Sequence, residues 1–265
     1  MNEAIMTGLI AGGADPADIV ATVRRAERAD ELAKRHQGIT AIAGEEEPEN
    51  NKQAATGAGV VILGVKPVGT AELAREIGDS LSPDAIVISV AAAVSLEQLE
   101  AALPAGQPVI RSMPNTPARL GRGVVSVSPG THCTPKQLQR AKDLLSAAGT
   151  VVEIPEEQVD ALSAISGSGP AYVFYLAEAM ANAGVELGLD RDLALMIARE
   201  TVAGAGFMLA EPGADAEALR KGVSSPNGTT ERAIASFDAG GLPAIIAEGA
   251  RAASARAAEI TQQLG

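Results

Sequence analysis

The strongest constraint on the fold is a change of rhythm about three-fifths of the way along the chain. Through residue 155, short Val/Ile-rich runs recur at Ile19–Val23, Ile39–Ile42, Val60–Val65, Ala85–Val90, Val109–Ser112, Val124–Val127 and Val151–Ile154. Between several of them lie stretches with helical spacing, at Ala26–His36, Thr70–Ser80, Leu96–Leu103 and Pro135–Ala148. Continuous apolar strands alternating with amphipathic helices predict a mostly parallel sheet covered on both faces, a doubly wound α/β domain. From about Val159 the β-type runs stop. Helical patterns then follow at Pro170–Leu187, Leu193–Leu209, Ala216–Lys221, Thr230–Phe237 and Pro243–Leu264. Pro155 and Gly167-Ser168-Gly169-Pro170 punctuate the changeover. The expectation is an α/β domain over residues 1–157 and an all-helical domain over 158–265. Helix Pro170–Leu187 is apolar around most of its circumference, so it is covered either by its own bundle or by a partner subunit.

Charge and composition exclude several classes of function. Lys plus Arg number 21 against 33 Asp plus Glu, a net charge of −12, and aromatics are 2% of the chain. That balance argues against nucleic acid and anionic membranes as partners. No apolar run approaches the ~20 residues that span a bilayer. The amino-terminal Met-Asn-Glu-Ala lacks the basic region of a secretory signal, so a cytoplasmic protein is expected. A single cysteine, Cys133, forms no internal disulfide framework, and two distant histidines, His36 and His132, give no metal-ligand spacing; no metal is expected.

Three strings can carry chemistry. Val223-Ser224-Ser225-Pro226-Asn227-Gly228-Thr229-Thr230 opens directly onto a helix. It reads either as an ordinary capped helix start or as a row of free N–H groups and hydroxyls that seats a small anion. Val60 to Pro67 reads as a buried strand ending in Lys66-Pro67, and Val109 to Pro117 as another ending in a proline-stiffened loop. Ligands of doubly wound sheets sit beyond such carboxyl ends. Each string alone is also compatible with a plain loop. After the first strand come Arg24 and Arg25, where an acidic residue would favour NAD; two guanidinium groups suit the 2′-phosphate of NADP instead. The alternative is the exposed start of the next helix.

Taken together, V-K-P, R-x-M-P-N-T-P, S-G-S-G-P-A-Y and S-P-x-G-T-T follow the order and spacing of the pyrroline-5-carboxylate reductases, which the chain resembles over essentially its whole length. Asn227 stands where that family's pattern has glycine. The resemblance implies a Rossmann-like domain and a helical domain that interlocks two subunits, as a homodimer or larger homo-oligomer. It implies reduction of 1-pyrroline-5-carboxylate to proline, the last step of proline biosynthesis, with NADPH as cofactor and NADH possible. It further implies that Ser225 and the backbone of Asn227, Gly228 and Thr229 hold the substrate carboxylate, and that Thr230 contacts the ring nitrogen. On the cofactor side it implies contacts from Asn51 (or its neighbour Asn50), Val65, Lys66, Pro67, Met113 and Asn115. The chain departs from the pattern at its front: Met1–Gly8 read as the helix after a G-x-G loop, so the first strand and that loop are expected to be missing. Two rivals stay open. One is another NADP-dependent Rossmann dehydrogenase, which would rely on a lysine in the helical domain, where only Lys221 is available. The other is a non-catalytic oligomeric binding protein.

Overall fold

The computed structural model describes residues 1–264. It divides into two compact units, residues 1–167 together with the segment from Ser254 onward, and Ser168–Ala253. The expected helical domain, from residue 158, and the second compact unit, from Ser168, begin about ten residues apart, around the π-helical turn Ser163–Gly167.

In the first unit, α1 (Asn2–Ala11) precedes β1 (Val20–Val23), α2 (Ala26–Arg35), β2 (Thr40–Ala43) and α3 (Asn50–Ala55). Then come β3 (Val60–Leu63), α4 (Thr70–Ile77), β4 (Ile86–Ser89), α5 (Leu96–Ala102), β5 (Val109–Pro114), β6 (Gly123–Pro129), α6 (Pro135–Leu145), β7 (Gly149–Glu153) and α7 (Val159–Leu162). All seven expected strands form. Their ladders are two: a parallel pair β1-β2, and a sheet in the order β3-β4-β5-β6-β7, parallel throughout except for β5 against β6. The helix α3 lies in a stretch without apolar rhythm and was not expected.

Alternation along the strands explains the two covered faces. Ile86 and Ile88 of β4 join Ile5 of α1 and Ala141 and Leu145 of α6 in one core. Val87 turns the other way, to Ala74 and Ile77 of α4 and Leu99 of α5. Full burial of an isoleucine is worth roughly 1.5–3 kcal/mol, which is why a one-residue slip in β4 would be costly. α1 serves both ladders: Ile5 enters the core of the larger sheet, while Met6 packs with Leu32 and Ile39 over the β1-β2 pair. Gly8 permits this, because a Cβ there would overlap the backbone carbonyl of Ala147. Glu3 then clamps α1 to α2 through Arg28, Arg35 and His36. Partial burial works against ionisation of Glu3, but hydrogen bonds from His36, Arg35 and Arg28 outweigh it and hold its pKa down at about 2.

The second unit contains α8 (Gly169–Glu186), α9 (Arg191–Leu209), α10 (Ala216–Gly222), α11 (Thr229–Ala239) and most of α12 (Leu242–Leu264). α8 and α9 pack on small residues: Ala181, Ala194 and Ala198 are buried, and a Cβ at Gly184 would meet that of Ala194 at 3.2 Å. The large side chains of α8 point out. Phe174 is 67% and Tyr175 73% exposed on the single chain.

Candidate active site

The loop before α11 is a turn with a defined stereochemistry. The Gly228 N–H donates to the Ser225 carbonyl at 2.9 Å, with Pro226 and Asn227 at its centre. Asn227 has φ +59, the left-handed conformation that a type II turn demands at that position. Asparagine tolerates it better than most residues with a side chain. Gly228 needs no positive φ; it is required for closeness, since a Cβ there would lie 2.5 Å from the Ser225 hydroxyl and 2.9 Å from its carbonyl.

The consequence is a helix start without a cap. Gly228 occupies the N-cap position and supplies no side chain to the α11 donors. Arg232 is the first residue of the helix to bond back into the turn, to the Gly228 carbonyl. The N–H groups of Thr229, Thr230 and Glu231 therefore have no partner among the described residues, nor do the hydroxyls of Ser225, Thr229 and Thr230. This redistributes the donors expected from the sequence. The Asn227 N–H is taken by the Glu231 carboxylate at 2.7 Å, and that of Gly228 by Ser225. Asn227 and Gly228 shape the turn, and the free backbone donors begin at Thr229. Thr230 is half-buried while Ser225 and Thr229 are exposed.

The residues expected on the cofactor side lie at or beyond the carboxyl ends of β1, β2, β3 and β5. Arg24 and Arg25 follow β1, are exposed, and make no ion pair or side-chain hydrogen bond among the described residues. The buried Asn50 amide donates to the carbonyls of Val23 and Ile42, tying together the ends of β1 and β2. Asn51 points elsewhere and donates to Glu76 of α4 at 3.0 Å. Of the two asparagines it is Asn50 that reaches the strand ends. Val65, Lys66 and Pro67 form the loop beyond β3, with Val65 and Lys66 exposed and Lys66 without an ion partner among the described residues. Met113 is partly exposed near the end of β5. Asn115 is buried and spoken for at both ends of its amide: it donates to the Ser166 carbonyl and accepts from the Val124 N–H, each at 2.9 Å. It is a strut that ties the end of β5 to the π-turn.

Profiles of known families now match both units. The family described as pyrroline-5-carboxylate reductase dimerisation matches residues 156–260, and that described as NADP oxidoreductase coenzyme F420-dependent matches residues 1–93. A pyrroline-5-carboxylate reductase of Corynebacterium melassecola is 41% identical over 263 residues, covering 98% of this chain and 95% of the relative. This chain belongs to the pyrroline-5-carboxylate reductases. The Pseudomonas aeruginosa relative is 39% identical over 266 residues, covering 100% of this chain and 95% of its own. Among solved structures, the pyrroline-5-carboxylate reductase of Coxiella burnetii superposes with a TM-score of 0.90 at 33% identity, over 98% of this chain and 94% of that one. Members are NAD(P)H-dependent oxidoreductases that reduce pyrroline-5-carboxylate, so the chain is an enzyme of proline biosynthesis with a Rossmann-like domain and a dimerisation domain. The rival dehydrogenase and binding-protein readings fall away.

The chemistry of the donors fits an NADP-type cofactor: Arg24 and Arg25, without an ion partner among the described residues, follow the end of β1 that Asn50 braces, and paired guanidinium groups suit a phosphate. Two features of this region escaped the sequence reading. Arg111, buried in β5, pairs with Glu156 at 2.8 Å, and the same carboxylate oxygen accepts the Leu96 N–H at the start of α5. A charged residue inside an apolar strand is the signal that announces such a partner. Ala93, in the loop after β4, has φ +62, a conformation that costs a residue with a Cβ roughly 1–2 kcal/mol. Burial pushes the Cys133 thiol pKa up, away from nucleophilic character.

Proposed function

We propose that the α11 loop is the substrate carboxylate seat, and that this chain uses NADPH in preference to NADH. The observation that carries the first reading is the uncapped helix start, with the Thr229, Thr230 and Glu231 N–H groups free beside three unengaged hydroxyls. An anion there gains both the helix dipole and unsatisfied donors. The substrate is a cyclic imine whose protonated form accepts hydride directly at carbon, so no general base is required. NADPH supplies the hydride when bound. This chain's work is positioning. Ser225 and the free N–H groups hold the carboxylate, and the Thr230 hydroxyl contacts the ring nitrogen and fixes the face of the ring. Arg24 and Arg25 take the 2′-phosphate, and Asn50 rather than Asn51 serves the adenosine. Val65, Lys66, Pro67 and Met113 line the cofactor, and Asn115 acts on it only through the backbone it braces. The support for NADPH is the free arginine pair; the solved pyrroline carboxylate reductase of Plasmodium falciparum, 22% identical with a TM-score of 0.81, contains NADP. We place the enzyme in the cytoplasm, as a homodimer or a larger assembly built from dimers. No helix among the described residues is long and apolar enough to cross a membrane.

The test is NADPH oxidation in the presence of pyrroline-5-carboxylate. Thr230→Val keeps the shape and removes one functional hydrogen bond, so kcat/KM should fall by about 10- to 150-fold, equivalent to roughly 1–3 kcal/mol. An unchanged kcat/KM removes Thr230 from the site.

A further inference from the structure

The anion position at the start of α2 is filled by the protein itself. α2 begins at Ala26, and its N-cap residue, Arg25, supplies no side-chain cap. The Ala26 N–H donates instead to the carboxylate of Glu45, from the turn after β2, at 3.4 Å. Backbone bonds hold that turn against the arginine pair: the Glu45 N–H donates to the Arg24 carbonyl at 3.1 Å, and the Gly44 N–H to the Val23 carbonyl at 2.8 Å. Asn50 pins the ends of β1 and β2 through the Val23 and Ile42 carbonyls. Glu45 therefore lies against the backbone of the segment that carries the arginine pair, on the helix N–H that an arriving phosphate would use. It is exposed, so nothing in the packing requires an acid there.

We propose that Glu45 is a specificity-determining residue that sets the balance between NADPH and NADH. The inference rests on the reading that Arg24 and Arg25 receive the 2′-phosphate. A 2′-phosphate must approach a fixed carboxylate and compete with it for the Ala26 N–H. A ribose 2′-hydroxyl is instead a donor to that carboxylate, as to the acidic residue that marks NAD sites. Glu45 thus offsets part of the attraction of the arginines and keeps the NADH route open. Discrimination by a repulsive element of this kind is a general device.

Binding of adenosine fragments isolates this effect from hydride transfer. Calorimetric titration compares adenosine 2′,5′-bisphosphate with adenosine 5′-monophosphate on the full chain and on Glu45→Gln. One like charge removed at close range in an aqueous site should raise the preference for the bisphosphate about fivefold. The bisphosphate should tighten, while the monophosphate stays level or weakens. Glu46→Gln removes a neighbouring charge that makes no contact with the α2 start and should leave the ratio nearly unchanged. An unaltered ratio in Glu45→Gln, or an equal rise in Glu46→Gln, overturns the proposal. Arg24→Ala with Arg25→Ala tests the underlying reading separately. If that pair retains the parent preference for the bisphosphate, the arginines do not read the phosphate, whatever Glu45 does.

Discussion

The two units of this reductase satisfy their apolar residues in opposite ways. The first closes on itself: Ile5, Ile86, Ile88, Leu99 and Ile110 are 0% exposed, layered between a sheet and helices on both faces. The second buries little beyond alanines, and leaves Phe174, Tyr175, Leu187, Phe207 and Ile245 each more than 60% exposed. Monomeric proteins rarely show so large an apolar surface. The family's dimerisation region spans this unit, which supports a homo-oligomer. The contrast teaches that apolar residues can build either a self-contained core or an outward-facing surface. The difference lies in whether large side chains face inward, as in β4, or outward from a seam of small residues, as in α8 and α9.

That comparison can be broken directly. Ile88→Ala should cost about 2–5 kcal/mol of stability, and the loss should be the same in dilute and concentrated protein, because the cavity lies inside one chain. Thermal melts across a wide concentration range would show it, and a strong concentration dependence would contradict a self-contained first unit. Phe174→Ala should cost about 2–4 kcal/mol, the range of interface hot spots, and appear as a weaker dimer in sedimentation equilibrium. A Phe174→Ala protein that assembles as tightly as the parent would place this side chain outside the interface.

Two smaller effects sharpen the picture of the first unit. Glu3 has a folded pKa of about 2 against an ordinary 4.5. Its contribution is therefore complete above the ordinary value and lost as the pH falls through the folded one. Glu3→Gln should destabilise by about 1 kcal/mol near neutral pH, discounted for partial exposure. The gap from the parent should close steadily in acid, as read by urea titrations at several pH values. A gap that persists at pH 2 would mean that packing, not charge, ties α1 to α2. Ala93→Gly should stabilise by about 0.5–1 kcal/mol, relief of the left-handed strain less the entropy of glycine. A lower melting temperature in that variant would show that the methyl group earns its place.

Much of this was legible along the chain. The seven strands and the long helices of the second unit follow from periodicity, and the turn before α11 follows from Pro226, Asn227 and Gly228 in succession. The short helix α3 was not legible, because Asn50 to Ala55 carry no apolar rhythm; it forms where tertiary packing buries Asn50 and Ala55. The same helix settles which asparagine reaches the strand ends. Successive residues on a helix point about 100° apart, so only one of two neighbours can face β1 and β2.

The sequence by itself determined the strands, the long helices, their order, the family signature and the turn before α11, because helix period, strand alternation and turn stereochemistry are written within a few residues. Tertiary structure alone decided the pairings. It closed both ends of the Asn115 amide, joined Arg111 to Glu156 across 45 residues, and laid Glu45 against the start of α2. Those choices depend on which polar groups the packing of distant elements brings within about 3 Å of one another, and no local pattern encodes that distance.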